Sequence, residues 1–189
     1  MDDIDTSDVV APALSTPAQW REYLHAYGEL AVRADDAPRR WAGHPPATEE
    51  AVAAAEARLG LRFPPSYRGF LLTTDGWDDV GCWAGPVLPL ARTGWLRDTR
   101  VGRDHIELYG EEGGEDDPYV VVFRRVLEIT TGEDAWYLDP GDVGPDGEWA
   151  GYLFTPKYGE LTRFSGFAAL WQHNRKTLER FAADRAART

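Results

Sequence analysis

Four carboxylates, Asp139, Asp142, Asp146 and Glu148, crowd a short segment flanked by Trp136 and Trp149. Paired carboxylates run general acid–base chemistry, and beside aromatic rings they suit a sugar, where a separation of ~5–10 Å sets the stereochemical outcome. Yet Asp139-Pro140-Gly141 and Gly144-Pro145-Asp146-Gly147 read as turns, which aim neighbouring side chains apart, and Asx turns account for the same residues. Their spacing also lacks the alternate positions of a calcium loop. The four histidines, His25, His44, His105 and His173, are scattered, and none stands three or four residues from another, so zinc-ligand spacing is missing. His105-Ile106-Glu107 offers two metal ligands but lies in an acidic, glycine-rich stretch. Cys82, beside Trp83, has no base near it in sequence and reads as a partly buried thiol. A phosphate-cradling loop followed by Lys-Ser/Thr and a Gly-x-Ser-x-Gly elbow are both absent from the sequence. No catalytic residue, metal or cofactor is expected.

Charge and aromatic content then carry more than any catalytic motif. Acidic residues outnumber basic ones 32 to 20 in 189 residues, for a formal charge of -12. That balance argues against nucleic acid or an anionic membrane, both of which recruit Lys and Arg. It permits a basic partner. The acids fall in three base-free blocks. The first is Asp2, Asp3, Asp5 and Asp8 at the N-terminus. The second, over 104–117, holds Asp104, Glu107, Glu111, Glu112, Glu115, Asp116 and Asp117, and reads as a solvated loop through Gly110, Gly113 and Gly114. The third runs over 133–148. Bases gather near the C-terminus as Arg175, Lys176, Arg180, Arg185 and Arg188, a face whose role stays open. No run approaches the ~18 apolar residues of a membrane span. With one cysteine, no intrachain disulfide can form, and a reducing, cytoplasmic setting is expected.

The elements that must position these residues follow from periodicity and punctuation. Residues 1–15 read as an acidic disordered lead-in and 16–189 as a single domain. Thr16-Pro17-Ala18-Gln19 starts a helix with a capping box, and Trp20, Leu24, Tyr27, Leu30 and Ala31 share one face of it. Gly28 is expected to weaken that helix by roughly 1 kcal/mol. Thr48 caps a second helix that Gly60 closes, and Pro64-Pro65-Ser66 opens a short third one. Residues 87–90 suit an edge strand. The β-branched and aromatic run 119–130, the turn 131–134 and residues 135–138 predict a hairpin, with further strands over 148–155 and 161–164. Ser165 is expected to cap a long last helix with the stripe Phe167, Leu170, Trp171, Asn174, Leu178, Phe181 and Ala182. Helices, then antiparallel strands, then a helix make an α+β domain.

Several of these segments, in consistent order over 48–175, resemble the SUKH superfamily. They are Leu59-Gly60, Phe63-Pro64-Pro65-Ser66-Tyr67, Phe70-Leu71-Leu72 and Asp75-Gly76-Trp77, then Gly94-Trp95-Leu96-Arg97-Asp98, Tyr137-Leu138-Asp139-Pro140, Gly147-Glu148-Trp149 and the stretch from Ser165 to Leu170. Asp75 stands where Asn is common, Gly166 is an extra residue, and the acidic stretch 104–117 has no counterpart. The resemblance implies a curved antiparallel sheet flanked by helices and a non-enzymatic role. Yeast Smi/Knr relatives are cell-wall regulators; many bacterial members are immunity proteins that bind a toxin, often a nuclease.

A nuclease carries positive surface for phosphate, so an acidic antidote can imitate that charge and steer association. Desolvated anchors, commonly Trp and Tyr, supply specificity. The candidate partner-binding residues are therefore Trp77, Asp78, Asp79, Trp83, Glu111, Glu112, Glu115, Asp116, Asp117 and Trp149. Two alternatives stand beside this reading. The acids can be a plain solvated rim, and the chain can be a regulatory interaction module without a toxin partner.

Overall fold

The computed structural model describes residues 14–34, 37 and 40–188. Residues 1–13 of the expected lead-in lie outside the described residues; Leu14, at its end, is buried. Helix α1 (Pro17–Arg33) starts as its capping box requires: Thr16 Oγ1 accepts the Gln19 amide, and Gln19 Oε1 accepts the Thr16 amide at 3.0 Å. Its stripe of Trp20, Leu24, Tyr27, Leu30 and Ala31 is buried. Gly28 belongs to the same face, and a Cβ there would stand 1.6 Å from the Arg40 carbonyl oxygen, so close packing of the chain requires the glycine. Helix α2 (Glu49–Leu59) is capped by Thr48 and closed by Gly60, and helix α3 (Pro65–Leu71) follows.

The sheet is antiparallel with strand order β1-β2-β3-β4-β5: β1 (Gly94–Trp95), β2 (Leu127–Glu128), β3 (Ala135–Val143), β4 (Trp149–Thr155) and β5 (Glu160–Phe164). Side chains alternate across a strand, and here both faces are covered. Trp136, Leu138 and Trp149 join the larger cluster with α1, α2, α3 and the C-terminal helix α6 (Phe167–Ala186). Tyr137, Ala150, Tyr152 and Phe154 face a smaller cluster, covered by α4 (Arg100–Gly113) and α5 (Pro118–Phe123). Four rings, Trp20, Phe70, Phe167 and Trp171, meet at the centre of the larger one, with centroids 5.1–6.4 Å apart. Fully burying each such side chain stabilises by about 1.5–3 kcal/mol. The result is the α+β architecture expected, with six α-helices and five strands among the described residues.

Five local expectations are corrected. The acidic stretch is not a loop, because α4 runs through it to Gly113, capped by Thr99, whose hydroxyl accepts the Gly102 amide. Gly102, Ile106 and Tyr109 turn inward at helical spacing while the acids turn outward. The run 119–130 is not one strand. Asp117 Oδ1 accepts the Tyr119 and Val120 amides, Pro118 takes the first helical position, and α5 buries Val120 and Phe123 before the two-residue β2. Residues 87–90 make no strand; Val87 forms single bridges to Trp77 and Thr130. Asp139-Pro140-Gly141 continues β3 through a register shift, and α6 begins at Phe167 with Gly166, not Ser165, at the cap position and no side-chain cap.

Candidate interaction surface

Residues 77–87 fold back on themselves as a small hairpin. Trp77 and Val87 exchange backbone hydrogen bonds of 3.1 and 2.8 Å, and the Val80 amide donates to Gly85 O at 2.8 Å. At the tip the Ala84 amide donates to Gly81 O at 3.1 Å, closing a four-residue turn. Its central residues, Cys82 and Trp83, have φ of 49° and 69°, the pattern of a type I′ turn. Asn and Gly normally occupy those positions, because a side chain there costs roughly 1–2 kcal/mol per residue. The turn is pinned from beneath. Tyr27 Oη donates to Val80 O at 2.7 Å, and Asn174 Nδ2 lies 3.2 Å from Val80 O and 3.4 Å from Gly81 O. The Asp134 amide donates to Trp83 O at 3.1 Å. Gly132 makes that approach possible, since a Cβ there would fall 2.1 Å from Trp83 O.

What this frame presents is the Trp83 ring. It meets Phe181 edge-on at a centroid distance of 6.1 Å and stays 59% exposed. Exposed Asp79 uses Oδ1 to accept the Gly81 amide, and Asp78 Oδ1 lies 2.6 Å from His44 Nε2. Trp77 and Trp149 belong elsewhere. Trp77 is 2% exposed, packed edge-on against Trp41 and Trp171, and Trp149 is 6% exposed near Phe63. Their rings fill the core, and neither is presented to a partner on this surface.

The remaining candidates lie at the end of α4 and the start of α5. Glu111, Glu112, Glu115 and Asp116 are exposed, and Asp117 is spent on the α5 cap. Glu115 lies 3.6 Å from Arg124, but among the described residues no cation comes within ion-pairing distance of Glu107, Glu111, Glu112 or Asp116. Sheet geometry relates this group to the hairpin. The turns 131–134 and 156–159 project from the same end of the antiparallel sheet. Trp83 is bonded to the first turn, and Tyr119 Oη donates to Gly159 O of the second at 2.9 Å. The two groups thus reach one end of the sheet from opposite faces. Glu133, Asp134 and the 66% exposed Tyr158 stand on the turns between them. Sequence reasoning did not select these three. Glu133 and Asp134 were legible as acids in a turn, whereas nothing in the sequence marks Tyr158.

The carboxylates around Trp136 and Trp149, and His105, are engaged separately. Fully buried Asp139 pairs with Arg125 Nη2 at 2.7 Å, and Asp142 holds Arg163 through two contacts of 2.7 and 2.8 Å. Glu148 accepts the Ser66 amide at 2.7 Å; burial pushes its carboxyl up, against the lowering effect of the Ser66 hydrogen bonds. His105 lies against Phe123 and Phe154, its Nδ1 without a hydrogen-bond partner among the described residues, and burial pulls its pKa down. Among the described residues no group of three His, Cys, Asp or Glu side chains is placed to hold a metal. Nor is any described helix long and apolar enough to cross a membrane.

Comparison with known proteins places this arrangement. The model of the SMI1 / KNR4 family (SUKH-1) matches residues 46–171, about two thirds of the chain. No curated protein matches it.

Proposed function

Because the chain belongs to the SMI1 / KNR4 family (SUKH-1), we propose that it is a non-enzymatic immunity protein that binds a cognate basic, nuclease-type toxin and occludes its active site. The observation that carries this reading is the acidic end of the sheet, where Glu111, Glu112 and Asp116 stand exposed with no ion-pair partner among the described residues, and which the aromatic hairpin tip reaches from the other face. A nuclease groove built for phosphate offers the matching positive field, and carboxylates in its place raise the encounter rate. Anchoring needs desolvated aromatic contact as well, which Trp83 and Tyr158 can supply.

Co-expression tests the reading directly. The chain is expected to rescue cells from one cognate nuclease toxin and from no unrelated toxin. Rescue from none would favour the regulatory module instead. Replacing Glu111, Glu112 and Glu115 with Gln and Asp116 with Asn is expected to slow association by about tenfold and to flatten its salt dependence. Unchanged association kinetics would remove the end of α4 from the interface.

A further inference from the structure

Trp83 holds a conformation that its own packing does not reward. Two successive side chains sit in the left-handed region at a turn where glycine would be relaxed. The ring gains one edge contact, with Phe181, and leaves 59% of the residue in solvent. Buried Asn174 and Tyr27 nevertheless fix the turn from below, and the 131–134 turn fixes it from the side. Strain held this firmly, with the side chain directed outward, belongs to recognition more than to folding. The neighbouring turn is negative: Glu133 is exposed and Asp134 half-buried. Burial and Glu133 both push the Asp134 carboxyl above its ordinary range, against the pull of Lys157. A cation brought to this place would relieve that repulsion.

We infer that Trp83 is an anchor for a guanidinium side chain of the protein partner, which stacks on the exposed indole face while Glu133 and Asp134 balance its charge. This rests on the basic-partner reading above and adds the group that is recognised. An indole face is the best aromatic receptor for a cation, and Arg is the commoner guest. A guanidinium is also abundant on any surface that holds phosphate.

The test uses the whole chain labelled with 15N and the peptide Ac-Gly-Arg-Gly-Arg-Gly-NH2, with its citrulline counterpart as the uncharged control. Trp83→Gly assigns the Trp83 indole N–H signal by its loss. That variant suits the left-handed backbone and is expected to stay folded; Trp83→Phe gives a second assignment that keeps a ring. The Trp83 signal is expected to shift and saturate with the arginine peptide in the millimolar range and to ignore citrulline. Glu133→Gln with Asp134→Asn is expected to weaken that binding at least about threefold. A Trp83 signal that stays still, or that responds equally to citrulline, would overturn the inference. So would toxin rescue unaffected by Trp83→Gly, which leaves the immunity reading intact. A saturating Trp83 shift in a chain that rescues from no toxin would do the reverse.

Discussion

Asn174 gives the sharpest test of how the exposed hairpin is held. Its Nδ2 faces only oxygens: Tyr27 Oη at 2.7 Å, Val80 O at 3.2 Å and Gly81 O at 3.4 Å, in a site where Asn174 is 6% exposed. Asn174→Leu keeps the volume and removes the donors. Val80 O still accepts from Tyr27, and Gly81 O still accepts from Ala84, so neither carbonyl is stranded, and the Tyr27 hydroxyl keeps the bond it donates. Two net hydrogen bonds at ~1 kcal/mol each then put the loss at about 1–3 kcal/mol. Asn174→Asp keeps the shape and reverses the chemistry, because an ionised carboxylate would face the same three oxygens. An uncompensated buried charge costs about 3–5 kcal/mol. The introduced carboxyl must therefore have a folded-state pKa above its unfolded value of about 3.9. The folded state then binds the extra proton, so stability falls as pH rises from the unfolded pKa through the folded one, by up to about 1.4 kcal/mol per pH unit. Urea unfolding of both variants between about pH 5 and pH 8 reads this as a gap that widens with pH. Equal losses at every pH would mean that water reaches the side chain, and the account of a dry, acceptor-lined anchor would be wrong.

Two further outcomes follow from neighbouring geometry. Gly28→Ala, which helix propensity alone would score as a gain of about 1 kcal/mol, is expected to lower the thermal midpoint instead, because the Arg40 carbonyl occupies the place of the new Cβ. A raised midpoint would show that the 40s segment yields freely. Glu148→Gln tests the half-buried carboxyl at Ser66, whose pKa burial raises. A raised folded pKa contributes stability that is present at acid pH and lost as pH rises through it, so the advantage of wild type over the glutamine variant is expected to shrink from about pH 4 to pH 7. Thermal melts across that range check the sign, and a growing advantage would refute it.

The parts of the fold that the sequence declares are those where local and global signals agree. Thr16, Gln19 and the Trp20–Leu24–Tyr27 stripe announce α1 because cap and core face coincide. Thr48 with Gly60 does the same for α2. The acidic stretch misleads because glycines and charges dominate its composition, while the inward face that makes it a helix is thin and partly glycine itself. In α5 the β-branched run reads as strand, yet Asp117 and Pro118 set a helical start and the smaller cluster rewards it. Residue types at the surface were legible as acids and tryptophans, but their exposure was not. Trp77 and Trp83 are six residues apart and alike in sequence terms, and only the hairpin sends one into the core and the other to solvent.

The two clusters on opposite faces of one sheet have a consequence for motion. Because β3 and β4 are shared walls, α4 and α5 can detach and expose the smaller cluster while α1, α3 and α6 keep the larger one closed. The acidic helix pair is therefore expected to open as a separate cooperative unit, at a lower free energy than the whole molecule. Hydrogen exchange is expected to reach its amides ahead of those of β3 and β4.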